Sequence, residues 1–499
     1  MELETLKFLT PEILMTAGAF LLLAIDLVFL RKNPLPSRSC RLGTFAVLYL
    51  LGVIALLLFI PLAPTPLLNG MLVLDGLTAF FKAAVLLITL LTVLISIGYE
   101  VTPHLGEYFA MLFLACVGML LLVGTEDLLT IYISLELLSV SLYILTAFHR
   151  GILRSAEGAM KYFLFGALSS TFLYFGASYL YGLSGATRLS TLGEFLQSAL
   201  ATAPTQQPLL FVSMIFLLVG LGFKVAVVPF HLWAPDAYEG APTPVTAYIS
   251  TGSKLASFFV LIKVALLTLW PLEGTALHYD IHGGWVPLLA VIACLSMTLG
   301  NLVAMTQRNL KRLLAYSSIA HAGYILIGIV AATRLGIASV FYYLFIYAFT
   351  NIGAFGVITA VSQITGGDEL EDFSGMGKRT PFLSLLMVLF ILSLAGIPPL
   401  AGFFGKFYVF LSAVDRDPMH YGLTWLVVVG VMNSAVSLYY YLKILKQMYL
   451  IEPKEVFPLR TPRPVMVGLV ICAVAVVAFG IFPSGLIRLF DGLLVFLPL

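Results

Sequence analysis

About fourteen apolar runs near 20 residues long follow one another along this 499-residue chain, beginning near residues 11, 42, 77, 107, 127, 159, 208, 243, 285, 311, 337, 382, 420 and 465. In hydrocarbon every backbone N–H and C=O must be satisfied within its own segment, so each run is expected to be a helix. The connecting stretches are short and rich in Pro, Gly and polar residues, the longest lying near 183–207, 271–284, 364–380 and 451–464. No soluble domain fits between the runs. The predicted fold class is therefore an all-α integral membrane protein of about 14 transmembrane helices.

Composition supports that class and removes others. The chain is 60% hydrophobic and 10% charged, against about 25% charged in a soluble domain. A scattered net charge of +2 indicates neither a nucleic-acid surface nor a polybasic lipid anchor. Cys40, Cys116, Cys294 and Cys472 are far apart and form no C-x-x-C pair, which argues against disulfides, zinc and iron–sulfur ligation. No G-x-G-x-x-G follows a strand and no phosphate-binding loop occurs, so no cofactor and no metal is expected in this chain. The start, MELETLKFLT, carries two glutamates where a signal peptide carries positive charge, and the first helix is expected to stay in place.

Lysine and arginine set the expected orientation. Loops after odd-numbered spans hold Arg31, Lys32, Arg38, Arg41, Arg150, Arg154, Arg308, Lys311, Arg312, Lys378, Arg379, Lys454, Arg460 and Arg463, whereas loops after even-numbered spans hold Arg188, Arg334 and Arg416. Positive loops stay in the cytoplasm, so both termini are expected on the non-cytoplasmic side.

Two spans read as broken helices. In GFKVAVVPFHLW, Pro229 follows Lys224 by five residues; in AGIPPLAGFFGKF, Gly396, Pro398, Pro399 and Gly402 precede Lys406. Proline removes a backbone donor and leaves carbonyls free at mid-membrane. The two lysines are expected in matching places five spans apart, and matched interrupted segments point to a transporter built from inverted repeats. The expected division is 1–104 for spans 1–3, 105–270 for the first repeat (spans 4–8), 285–450 for the second (spans 9–13) and 451–499 for span 14.

Ionisable side chains stand out against this apolar background. Glu136, Lys224, Lys254 and Lys406 all lie deep within spans. A buried charge at mid-bilayer costs about 2.5–3.5 kcal/mol, and the four together about 10 kcal/mol. Glu136 lies nine residues past Asp127, hence about 14 Å in, and Lys254 lies eleven past Thr243, hence about 16 Å in. We read the four as a proton path. At about 4 Å and an effective dielectric near 20, a switching Glu136–Lys224 pair is worth about 4 kcal/mol. A proton crossing 100 mV costs about 2.3 kcal/mol, so such a pair matches the load of an energised membrane.

The other charged residues read more plainly. Lys82, Lys263, Lys443 and Lys446 are expected to snorkel to an interface. Asp26 reads as a buried hydrogen-bonded carboxyl, and Lys161, beside Arg154 and Glu157, as an end charge. His231 in PFHLW and His321 in SSIAHAGY are each either a proton shuttle or a satisfied core histidine.

Five segments carry a resemblance: YISLELLSVSLYILTAF, AMKYFLFGALSSTFLYFGASYLYGLSG, GLGFKVAVVPFHLWAPDAYEGAPTPVTAYISTGSKLASF, RLLAYSSIAHAGY and AGIPPLAGFFGKFYVF. From about residue 70 to 450 the chain resembles the antiporter-like membrane subunits of proton-pumping NADH:quinone oxidoreductase (respiratory complex I), with the N-type branch closest. The resemblance implies fourteen helices and two inverted five-helix repeats. It places the family's functional glutamate of helix 5 on Glu136 and the lysines of helices 7, 8 and 12 on Lys224, Lys254 and Lys406. It also makes Lys161 the helix-6 lysine near that glutamate, and sets Lys254 and His321 between a cytoplasmic-side Lys224 and a Lys406 leading to the opposite face. The function implied is that of a proton-translocating subunit of the enzyme, without a redox centre of its own. The partners implied are the M- and L-type subunits, the small subunits K, J and A and, indirectly, the peripheral NADH-oxidising arm, in a prokaryotic plasma membrane. The M-type usually carries glutamate where Lys406 stands, and the L-type has a long C-terminal lateral helix where this chain stops at Leu499. Multisubunit cation/proton antiporters share the same helices and are the alternative, as is a structural subunit whose charges only hold helices together.

Overall fold

The computed structural model describes residues 7–60, 62–99, 102–149, 151–452 and 461–494, with only the backbone for 63–66 and 69. Glu2, Glu4, Arg150, Lys454 and Arg460 lie outside the described residues. Thirteen described helices are long and apolar enough to cross a membrane. Spans 1–5 are Thr10–Leu30, Leu35–Phe59, Gly76–Ser96, Leu105–Gly124 and Leu128–Thr146; span 6 is Leu153–Ser184, and Pro204–Val225 is the first half of span 7. Spans 8–11 are Thr243–Thr268, Trp285–Thr306, Leu310–Val330 and Arg334–Thr365, and spans 13 and 14 are Thr424–Leu450 and Arg463–Ile481. The fourteenth crossing, span 12, is the pair Pro381–Ala395 and Ala401–Asp415.

Burial sorts the spans. The most apolar windows of spans 8 and 11 are 100% buried, whereas those of spans 1, 2, 6 and 13 are 33% buried. The former are the axis of the bundle and the latter its rim. Rim side chains such as Phe29, Leu58 and Phe59 are exposed and apolar, as a lipid or subunit contact requires. Spans 6 and 11, at 32 residues each, are longer than a bilayer needs. A helix, Leu189–Thr202, stands where the sequence suggests a loop; its Leu189, Leu192, Leu196 and Ala199 form one buried stripe.

Both breaks turn on a left-handed residue. Span 7 stops at Ala226 (φ 58°) and resumes as the short helix Ala234–Gly240, while the first half of span 12 stops at Gly396 (φ 84°). Each is followed three residues later by a proline, Pro229 or Pro399. Counted from these turns, Lys406 falls ten residues after Gly396, in register with Asp236, whereas Lys224 falls two residues before Ala226, in register with Leu394. The two lysines therefore occupy opposite sides of their breaks rather than matching places.

Asp26 behaves as its sequence context suggests. It is fully buried at the start of a π-helical turn, accepts from the Gly106 N–H at 2.8 Å, and forms a two-pronged pair with Arg38. Lys443 and Lys446 lie near the end of span 13, Lys446 exposed and Lys443 partly so, donating to the Gln307 carbonyl at 3.3 Å. Lys82 and Lys263 do not snorkel. Both are 3% exposed, because spans 3 and 8 lie inside the bundle and their ammonium groups end on Glu12 and on the carbonyls that close span 4.

Removing one partner of a buried pair strands the other, at about 3–5 kcal/mol. Arg38→Met is expected to lower the melting temperature of the purified protein, and Asp26→Asn/Arg38→Met to recover most of the loss. Equal melting of Arg38→Met and wild type would show that the pair contributes little.

Candidate functional site

Span 5 is fixed at its start by Asp127, whose Oδ1 accepts from the N–H groups of Leu129 and Thr130 at 3.0 Å each. That cap sets the depth of Glu136, whose carboxylate accepts a hydrogen bond from Ser170 of span 6. One turn further along span 5, Ser139 accepts from the Lys224 ammonium. Glu136 and Lys224 thus each meet a serine rather than one another. The Phe223 and Tyr143 rings lie 5.4 and 6.0 Å from Lys224 Nζ.

Lys254 opens the regular helix that follows a π-helical turn, Ile249–Ser253. Its ammonium donates to the Ser318 carbonyl at 2.7 Å and to Ser318 Oγ at 2.5 Å. The Tyr238 hydroxyl stands 3.3 Å from that same Oγ. One turn along span 10, His321 places Nδ1 2.7 Å from the Tyr343 hydroxyl and Nε2 3.0 Å from that of Tyr441. Tyr441 in turn lies 2.5 Å from Ser317 Oγ. Lys406 donates to the Ala395 carbonyl at 3.0 Å, freed by the break, and to Ser434 Oγ at 2.9 Å. Its Nζ is also 4.9 Å from the centre of the Tyr324 ring, which packs edge-on against His321 at 5.8 Å. Lys254 and His321 thus each meet their own hydroxyls, one turn apart along span 10, and Lys406 approaches His321 across the Tyr324 ring.

Between Lys224 and that group the contacts are aromatic. Phe223 packs on Trp233 at 5.1 Å, Tyr162 stacks on the indole at 4.1 Å and lies 6.2 Å from Phe223, and Trp233 reaches Tyr238 at 6.3 Å. The row is thus interrupted by rings rather than joined by an unbroken chain of hydrogen bonds.

Lys161 and His231 stand apart from the row. Lys161 pairs with Glu157 and Asp236 at 2.7 Å each. Ser170, which meets Glu136, lies nine residues further along span 6, about 14 Å away at helical rise, so Lys161 is not beside that glutamate. Nor is it an isolated end charge: Asp236 also binds Arg312, and Arg312 and Arg154 reach Glu239 at 3.1 and 3.3 Å. This bridge ties span 6 to the second half of span 7 and to span 10. His231, 6% exposed in the break of span 7, has an Nδ1 without a hydrogen-bond partner among the described residues.

Three polar cavities open at the arginine-rich end. They measure about 800, 380 and 190 Å³, lined respectively by Arg308 and Glu369, by His149 and Lys311, and by Arg154 and Asp236. Burial pushes the pKa of His149, in the turn after span 5, down to about 4, with Lys311 adding to the fall and Asp368 opposing it. His149 is therefore neutral near pH 7 and adds no cation at that mouth.

With this geometry in view, comparison with known proteins is decisive. Residues 125–437 match the family model described as the transmembrane region of NADH:quinone oxidoreductase and Mrp antiporters. The chain belongs to that family. It is 44% identical to NADH-quinone oxidoreductase subunit N 2 of Acidobacterium capsulatum, over 97% of this chain and 98% of the relative. It is 41% identical to subunit N of Moorella thermoacetica, over 97% of each. Among solved structures, a chain of respiratory complex I from Thermus thermophilus aligns with TM-score 0.76 at 33% identity, covering 96% of this chain and 98% of its own. A chain of the Mrp complex from Dietzia shares the fold, with TM-score 0.79 at 18% identity and coverage of 99% and 97%. Within the antiporter-like family, this chain therefore stands with the N-type subunits.

The residues that sequence reasoning missed are the partners: Ser139, Ser170, Ser318, Tyr343, Tyr441 and Asp236. Tyr441 shows the cost of removing one. Tyr441→Phe leaves Ser317 Oγ and His321 Nε2 without a shared partner, an expected loss of about 1–3 kcal/mol, read as a lowered melting temperature of the solubilised protein. An unchanged melting temperature would mean that water or another hydroxyl replaces it.

Proposed function

We propose that this chain is a proton-translocating subunit of an NADH:quinone oxidoreductase of the prokaryotic plasma membrane, working without a redox centre of its own. One observation carries the reading: the ammonium groups of Lys224, Lys254 and Lys406 lie inside the bundle on uncharged hydroxyl and carbonyl acceptors. Such an acceptor set binds a protonated amine yet leaves no stranded counter-charge when the proton departs. Near-full-length likeness to subunit N supports the same reading.

The proposed row runs Glu136, Lys224, Lys254, His321, Lys406. Lys224 exchanges with the arginine-rich, cytoplasmic side, and Lys406 with the other. Lys161 acts through Asp236, holding the second half of span 7, and His231 is the hinge-side group beside it. Both termini are placed on the non-cytoplasmic side by the Lys and Arg distribution. Residues 105–270 and 285–450 are taken as inverted repeats, with 1–104 and 451–499 flanking them; the left-handed turns at Ala226 and Gly396 support that division. M- and L-type subunits, the small subunits K, J and A and the NADH-oxidising arm are the proposed partners. Quinone reduction in those partners would drive the row through electrostatics and shifts along the membrane arm.

Lys224→Ala and Glu136→Ala are each expected to abolish most proton pumping by the complex in reconstituted vesicles while the complex still assembles, a loss of about a hundredfold for a positioned proton-transfer group. Pumping at the wild-type rate in either variant would overturn the assignment. A sodium-dependent pH response in vesicles without quinone would favour cation/proton antiport instead. If the charges only hold helices together, Lys406→Met would reduce assembly without changing the stoichiometry of surviving complexes.

A further inference from the structure

A second group of buried ionisable side chains lies away from the row, at the end of the bundle opposite the arginine-rich loops. Span 4 ends at Gly124, and two lysines converge there. Lys263 of span 8 donates to the carbonyls of Val123 and Thr125 at 3.2 and 3.3 Å. Lys82 of span 3 lies so close to Gly124 that a Cβ on that glycine would meet Lys82 Cε at 3.2 Å and Nζ at 3.4 Å. The last carbonyls of a helix carry partial negative charge, which favours cations at this point.

A carboxylate accompanies each lysine. Glu126 Oε1 stands 3.6 Å from Lys263 Nζ, and Glu12 of span 1 places Oε1 2.7 Å from Lys82 Nζ. The depths differ. The Glu12 side chain is 6% exposed and that of Glu126 is 18% exposed. Among the described residues, Glu12 Oε1 has the Lys82 ion pair alone and Glu12 Oε2 has no hydrogen-bond partner; the buried Thr78 hydroxyl, one turn from Lys82 along span 3, also lacks one. Buried oxygens of this kind are ordinarily satisfied, so an unfilled carboxylate oxygen beside a buried ammonium marks a site prepared for water or a mobile proton. Asp75 caps span 3 at the Thr78 N–H at 2.7 Å, and its charge also acts on Lys263.

We propose that Glu12, Lys82, Lys263 and Glu126 form a second proton-exchange site, with Glu126 as its mouth on the face opposite the arginine-rich one. Its ligand is a proton leaving for water on that face. The Lys263 ammonium gives its proton to the Glu126 carboxylate and becomes a neutral amine; the Glu126 carboxylic acid gives that proton to water, which leaves as hydronium, and is a carboxylate again. The Lys82 ammonium, at the same helix end, restores the Lys263 ammonium and is left as an amine; Glu12 takes the next proton arriving through the bundle and passes it to that amine, so all four groups return to their starting states. This site serves the pumping proposed above and rests on that reading.

The test uses the assembled complex in vesicles, with Lys224→Ala as a reference. Glu12→Gln/Lys82→Met and Glu126→Gln/Lys263→Met are each expected to lower proton pumping about tenfold, as loss of a proton-transfer group does. Pumping at the wild-type rate in both double variants, with Lys224→Ala defective, would overturn this site and leave the main row standing. Normal pumping by Lys224→Ala would instead overturn the main reading. If Glu12→Gln/Lys82→Met does not assemble, Glu126→Gln alone at the partly exposed mouth decides: a slower rate supports the site, and a wild-type rate refutes it. A merely structural role would lower the melting temperature of the double variants without changing pumping per assembled complex.

Discussion

A charged amine in hydrocarbon must find acceptors inside the protein, and much of this architecture follows from that requirement. Even after relaxation, the desolvation penalty is several kcal/mol per ion. Lys254 meets it with a carbonyl and a hydroxyl from one residue, Ser318. Lys406 uses the Ala395 carbonyl, which the turn at Gly396 releases from its helix. A side chain at Gly396 would also meet Lys406 Cδ at 3.1 Å. The left-handed glycine, the freed carbonyl and the lysine are thus one unit, and the helix break is the means by which the charge is accommodated.

That logic also decides what the sequence could reveal. The spans were legible because an apolar run near 20 residues has few other uses, and Glu136, Lys224, Lys254 and Lys406 were legible because charge stands out against it. Their acceptors were not. Ser139, Ser318 and Tyr441 belong to residue types common in membrane helices, and their roles arise from packing between spans distant in sequence. Lys82 and Lys263 show the same limit from the other direction. Snorkelling was a sound expectation for a lysine near the end of an apolar run, but it presumes a rim helix. In the buried spans 3 and 8 the ammonium groups end on protein acceptors instead, and the compensating Glu12 comes from the first span.

The register of the two breaks shows what pattern matching alone can hide. Lys224 and Lys406 look equivalent because each accompanies a proline in a broken span. Counted from the left-handed turns, the residue at the distance of Lys406 is Asp236, and Asp236 is the carboxylate that gathers Lys161 and Arg312. Ten residues past its turn, span 12 thus puts an ammonium on uncharged acceptors where span 7 puts a carboxylate between two cations. The first arrangement suits a group that exchanges its proton; the second suits one that holds three helices in place.

The aromatic interruption between Lys224 and Lys254 fits the same division of labour. A continuous file of hydrogen-bonded groups across the membrane would let protons run down the gradient, which at 100 mV returns about 2.3 kcal/mol for each proton. Phe223, Trp233 and Tyr162 fill the gap with rings whose packing water must open. The indole N–H is itself tied to the Phe223 carbonyl at 3.1 Å across the break, so these rings hold the two sides of the break to one another. The Lys161–Asp236–Arg312 bridge anchors that same half-helix. On the proposed reading, the bridge governs when the row conducts, while the lysines determine what it carries.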